Sequence, residues 1–271
     1  MADPAQNLSP KEREQVEENS PAPAKVVHAS ISKQGEEELE RPTSSLFWSA
    51  VAAGIAIMAS VSVSGALHRY LPDAPWREAV VAFGYPVGFL IVVLGRMQLF
   101  TEQTVVAILP FARETTWHNA GRVARLWGIV FAGNLVGTAA VTALAAQGHV
   151  QSPAMLDGMV AVASRLQERD AFDTMMQAIP AGFIMASVAW IRSANNETGF
   201  SVVLVLTLAI SLCGFAHVIA GAAEAFLLMW AGRADLGWVF GSFLLPALAG
   251  NIIGGTGLFA VLAHAQVSQE I

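Results

Sequence analysis

The sequence predicts an all-α membrane protein of six transmembrane helices, built as two inverted three-helix repeats in which the second and fifth helices are broken mid-membrane. Three observations predict it: a shortage of charge, a set of apolar segments of membrane length, and the recurrence of small-residue motifs in the two halves. Of 271 residues, 54% are hydrophobic and 13% charged, against about 25% charged in an ordinary soluble domain. A chain so poor in charge is not built for water alone. The single cysteine, Cys213, excludes an intrachain disulfide, and no signal-peptide pattern opens the chain.

Residues 1–43 differ from the rest. They hold nine acids against five bases, and so carry −4 of the formal −6 net charge, together with five prolines. Such a segment buries too little apolar surface to offset its ordering entropy. It is expected to be a mostly disordered cytoplasmic tail with a short helix near 33–40, followed by a transmembrane domain over 44–271.

Lipid offers no hydrogen bonds to a backbone, so a crossing segment is helical and about 20 residues long. Segments 45–67, 126–146, 175–191 and 239–263 fit that ruler. Two others do not. Segment 79–111 carries Arg96, Gln98, Glu102 and Gln103 near its middle, and 200–230 carries His217 and Glu224. Each is too long for one crossing and too short for two. A helix interrupted near the midplane resolves both, and irregular backbone at that depth must line protein or a polar cavity. Gly95, Gly214 and Gly221 are the expected bends.

The interrupted segments are the second and the fifth, as a duplication of three spans requires. Ala53-Gly54 recurs as Ala181-Gly182, and Ala132-Gly133-Asn134-Leu135-Val136-Gly137 recurs as Ala249-Gly250-Asn251-Ile252-Ile253-Gly254. The repeats run over about 44–147 and 172–266. An odd number of spans per repeat inverts the second copy, and paired broken helices mark a transport site near the midplane. With the N-terminus inside, nine basic residues fall on the cytoplasmic side and five outside, so both termini are expected in the cytoplasm.

Half-helix N-termini carry unpaired N–H groups and partial positive charge, which favours a small anion between them. His217, an ionisable group inside a span, is the expected pathway residue. Thr101 can offer a hydroxyl to a solute or cap the following half-helix. Leu99 and Phe100 suit a dry constriction, or core packing. Arg96 and Glu102 are expected to pair with each other or with a neighbouring subunit, Glu224 to lie near an interface, and Asn134 and Asn251 to hold the broken backbone or meet the solute.

At these residues the sequence resembles the formate/nitrite transporter family. The carriers are Leu99-Phe100-Thr101 after a glycine, Gly214-Phe215-Ala216-His217, and Pro246 followed by Gly250-Asn251-Ile252-Ile253-Gly254-Gly255. The resemblance implies an aquaporin-like protomer in a homopentamer in the cell inner membrane. Each protomer has its own pore for formate, nitrite, hydrosulfide or a related monovalent anion, needing no cofactor, metal or nucleic acid. It implies that Leu99, Phe100, Thr101, Phe215, His217, Asn134 and Asn251 line the path, with the Leu-Phe-Thr loop as a gate and His217 assisting the anion. Ala216, Gly221 and Gly182 stand where polar residues are usual, which is expected to alter the bonding of His217 and widen or dry the pore. A water- or glycerol-like channel and a structural or sensory membrane protein are the other readings. An enzyme is not expected, since no H-E-x-x-H, G-x-S-x-G or acidic pair occurs.

Overall fold

The structure, a computed structural model, describes residues 8–19, 22–148 and 150–270. Among the described residues there is no strand. Five helices are long and apolar enough to cross a membrane: Thr43–Tyr70, Arg77–Leu94, Trp117–Ala146, Ala171–Ala194 and Trp238–Val267. The expected breaks are both present. In the first repeat α6 (Pro86–Leu94) ends, five residues intervene, and α7 (Phe100–Val106) begins and runs through Ala107 into α8 (Ile108–Arg113). In the second, α12 (Gly199–Leu212) and α13 (Val218–Trp230) flank the break. These helices are 14 and 13 residues long, too short to cross singly. An additional helix, Pro153–Ala163, stands between the third and fourth segments, capped by the Ser152 hydroxyl.

The repeats coincide in their packing. Gly54 lies on the backbone of Asn134, Gly133 on Phe47 and Ala50, and Gly137 on Val51. In the second half Gly182 lies on the backbone of Asn251, Gly250 on Met175 and Ala178, and Gly254 on Ile179. A Cβ at any of these positions would overlap the facing helix. Small residues permit this close crossing, and lipid supplies no hydrophobic drive to replace the packing it secures. Gly182 is thus a crossing residue, and its missing side chain is required by the helix beneath it.

The last helix passes through two wide-turn π segments, Trp238–Leu244 and Ile253–Ala260, on either side of Leu245–Ile252. Pro246 has no N–H to continue the ordinary ladder, and π turns of this kind re-aim side chains near functional sites.

Residues 1–43 are more helical than expected over two described stretches. Pro10–Asn19 is helical, and Ala24–Glu40 forms α2, 17 residues long rather than a short turn near 33–40. Residues 1–7, 20 and 21 lie outside the described residues. The buried stripe of α2 is Val27, His28, Ile31, Ser32, Gly35 and Leu39, a spacing of three and four that places them on one face. Gly35 lies on the Val106 carbonyl and Pro110. Arg125 holds the end of α2, donating to the carbonyls of Leu39 and Arg41, and Arg122 pairs with Glu36 at 3.1 Å. Helical order comes from this docking, which composition does not register.

One contact makes the docking sensitive to pH. His28 is buried, with its Nε2 3.2 Å from His264 Nδ1 and its Nδ1 3.5 Å from the Ser32 hydroxyl. Burial, then His264 and Arg113, lower the affinity of His28 for a proton below that of ordinary histidine. The undocked helix therefore binds the proton more readily than the docked one. Docking is fully favoured above about pH 6.5 and weakens as pH falls below it. Protection of the amides over 24–40, taken relative to their unprotected exchange rate at each pH, is expected to fall on acidification in wild type and to lose that response in His28→Gln.

Candidate functional site

The two breaks are equivalent turn by turn. Leu99 and His217 are the residues that open α7 and α13, with φ −108° and ψ 126° for the first and φ −108° and ψ 124° for the second. Asn134 Oδ1 accepts the Phe100 N–H at 3.0 Å while its Nδ2 donates to the carbonyls of Ala50 and Gln98, both at 2.8 Å. Asn251 Oδ1 accepts the Val218 N–H at 2.9 Å while its Nδ2 donates to Ala178 and Ala216 at 2.8 and 3.0 Å. Each fully buried amide thereby satisfies two backbone groups that the break leaves open, one N–H and one carbonyl, and ties them to a carbonyl inside the continuous helix alongside. Both asparagines brace the breaks and have no N–H left for a solute.

The bends are not where the glycines alone suggest. Gly214 has φ +66°, the left-handed region that glycine adopts freely. Its counterpart is Arg96 at φ +53°, whereas Gly95 has an ordinary φ of −73° and ends α6. Gly221 is inside α13, one turn past the break. There the Phe243 ring occupies the space a Cβ would need.

Between the breaks the structure brings Thr101 and His217 together, Oγ1 to Nε2 at 2.7 Å. His217 Nδ1 accepts the Ala220 N–H at 3.2 Å. A neutral imidazole has one donor and one acceptor. Nδ1 is the acceptor, so Nε2 carries the hydrogen and donates it to Thr101. The threonine hydroxyl keeps its own proton to give to something else. The ring of Phe89 meets His217 edge-on, centroids 4.9 Å apart, and Tyr85 lies against Phe89 at 5.0 Å. Among the described residues no hydrogen bond is made by the amides of Thr101 and Ile219, second in their half-helices. The centre is closed, since Leu99, Phe100, Thr101, Phe89 and His217 are all buried. Phe100 packs its ring on Trp127 and Phe131, at 5.7 and 5.2 Å, and so belongs to the wall of α9 (Trp117–Ala146).

A vestibule approaches this centre from each end. The near one, beneath α2, is about 340 Å³ and is lined by Gln34, Glu38, Arg96, Gln98, Glu102 and Arg192 among others. Gln98 donates to Glu38 at 2.9 Å and accepts from Gln103 at 2.8 Å. Glu102 pairs with Arg192 at 3.2 Å, both side chains 14% exposed. Arg96 and Glu102 were expected to pair with each other or with a neighbouring subunit; the left-handed turn leaves Arg96 lining the vestibule, and Arg192, on α11 (Ala171–Ala194), makes the bond with Glu102. The far vestibule, about 430 Å³, is lined by Glu78, Tyr85, Arg165, Arg169, Phe215 and Glu224 among others. Arg169 donates to the Gly214 carbonyl at 2.7 Å, holding the turn that precedes His217, and Arg165 pairs with Glu78. Phe89, Phe243, Arg169 and Arg192 were not singled out from sequence. Only the basic pair had a usable signal, one arginine just outside each end of the fourth span. Among the described residues no cluster suits a metal ion.

Two inverted repeats meeting at paired half-helices, with polar vestibules above and below, define a membrane channel or transporter. A sequence model of the formate/nitrite transporter family matches residues 25–265, and the chain belongs to that family. It is 33% identical over 255 residues to the inner membrane protein YfdC of Escherichia coli (strain K12), covering 94% of this chain and 82% of that one. Its fold is similar to an FNT family ion channel (TM-score 0.75, 19% identity), covering 90% of this chain and 98% of the other. It is also similar to a pentameric formate channel with formate bound (TM-score 0.71, 16% identity), covering 84% and 98% respectively.

Proposed function

We propose that the chain conducts a small monovalent anion of the formate, nitrite or hydrosulfide class through a path in each protomer of a homopentamer. Each broken segment counts as one crossing, giving six, with both termini on the cytoplasmic side of the inner membrane. The Thr101–His217 pair carries this reading. It lies where the amino ends of two half-helices converge, so an anion that reaches it gains two oriented dipoles and the hydroxyl proton of Thr101. His217 is neutral at rest, its ring locked by the Ala220 amide, and it orients that hydroxyl by donating to it. The formate bound in the similar pentameric channel supports the size and charge of the solute.

The test is flux in proteoliposomes offered formate, nitrite and hydrosulfide across a range of pH. Wild type is expected to pass at least one of them with a clear pH dependence. His217→Phe removes the Nε2–H and the cap on Ala220. The two bonds lost join neutral groups and are worth about 0.5–1.5 kcal/mol each, so flux is expected to fall about 5- to 100-fold and its pH profile to flatten. Equal flux in wild type and mutant at every pH overturns the assignment.

A further inference from the structure

The far vestibule contains a carboxylate that nothing above uses. Glu224 lies on α13 seven residues after His217, two helical turns and so about 10 Å outward on the same face. It faces the cavity that leads toward His217 past Tyr85 and Phe89. Arg165, Arg169 and Tyr85 are its electrostatic neighbours. Both arginines are already engaged, Arg165 with Glu78 and Arg169 with the Gly214 carbonyl. The far mouth therefore offers an arriving anion two shared cations, with Glu78 already paired to Arg165 and Glu224 the acid without such a bond.

From this geometry we infer that Glu224 is the residue that couples anion entry at the far mouth to the uptake of one proton. The inference rests on the anion-conduit reading above. An ionised Glu224 repels a second negative charge strongly in a narrow, partly desolvated cavity. A protonated Glu224 does not, and it leaves Arg165 and Arg169 to attract the anion. Coupling between two ligands is reciprocal, so an anion bound between the arginines draws a proton onto Glu224 by the same factor that the proton favours the anion. The step is a protonation only. The proton comes from water at the far face and the carboxylate becomes a carboxylic acid. When the anion moves on to Thr101 and His217, the proton is released again or travels with it.

Other charged groups set the background. Glu78, Glu168 and Arg77 act on Glu224 through Arg165, His68 approaches Glu78 at 3.4 Å, and His217 opens the same helix. On the neighbouring helix Pro153–Ala163 the acid Asp157 is exposed. Of these only Glu78 lines the cavity together with Glu224 and the two arginines.

The decisive comparison is formate uptake into proteoliposomes by wild type, Glu224→Gln and Glu224→Asp while the pH on the far side is varied. Glutamine imitates the protonated acid. Wild-type uptake is expected to drop about tenfold per pH unit once Glu224 is mostly ionised. Glu224→Gln is expected to stay near the acidic rate, and Glu224→Asp to keep a decline. The dependence that comes from formate and His217 is common to all three and cancels in the ratio. Superposed profiles for wild type and Glu224→Gln overturn the inference while leaving the conduit intact; absence of formate, nitrite and hydrosulfide flux in wild type sinks the conduit reading instead. A second readout needs no variant. Formate added to the purified protein in weak buffer is expected to cause net proton uptake, and no uptake argues against Glu224 even if Glu224→Gln does not fold.

Discussion

Asn251→Ala is expected to unfold the second half of the protein at temperatures where wild type is intact. The mutation removes three hydrogen bonds at once and leaves the Val218 N–H and the Ala216 carbonyl without their partner. Polar side-chain bonds inside membrane proteins are often worth well under 1 kcal/mol, because a regular helix satisfies its backbone without them. Here the Val218 N–H and the Ala216 carbonyl belong to irregular backbone and the amide supplies both, while the Ala178 carbonyl lies inside a continuous helix. An unsatisfied buried group costs about 1–3 kcal/mol, so two place the change toward the destabilising end for a point substitution, about 2–5 kcal/mol. Asn251→Asp separates donor from acceptor roles: a carboxylate still accepts the Val218 N–H but cannot donate to either carbonyl, and it brings a buried charge. It is expected to be no better than alanine. Asn134→Ala should behave alike, because its three bonds mirror those of Asn251. Thermal melts of the detergent-solubilised protein measure all three. A melting point within a degree or two of wild type for Asn251→Ala contradicts the bracing role.

Those braces were legible because they lie in a motif that occurs twice. Ala-Gly-Asn-x-x-Gly stands out in both halves, and small residues around an amide in a span have few structural uses other than close crossing and backbone capture. His217 and Thr101 were legible as polar groups in interrupted apolar stretches, although their 2.7 Å contact was not, since nothing in one strand of sequence pairs residues 116 positions apart. The bends were legible only to within a residue. Gly95 looked like the hinge, yet the left-handed turn falls on Arg96. Composition also misjudged α2, because its stripe of Val27, Ile31 and Leu39 is sparse and its partners, Val106, Pro110 and His264 among them, are far along the chain. Glu102 found Arg192 rather than Arg96 for the same reason: tertiary placement outranked nearness in sequence.

The same limit explains Gly221. Its position one turn after His217 suggests a lost polar contact and a wider or drier path, but the space is filled from the other side by the Phe243 ring, which is 1% exposed. Glycine and phenylalanine thus form one unit, and changing either alone should be severe. Gly221→Asn drives a Cβ into the ring, and because the ring is enclosed it cannot turn away; overpacking of this kind costs about 1–3 kcal/mol or more. Phe243→Ala leaves a void where the ring stood, at about 3–5 kcal/mol. Together they should cost much less than the sum, since the asparagine enters the space that the ring vacates. A double-mutant cycle on thermal or denaturant stability measures the coupling, expected at about 1–3 kcal/mol for groups in contact. The double variant also returns an amide to the helix face that carries His217. If the two single effects simply add, the ring and the glycine are independent, and the glycine at 221 needs another cause.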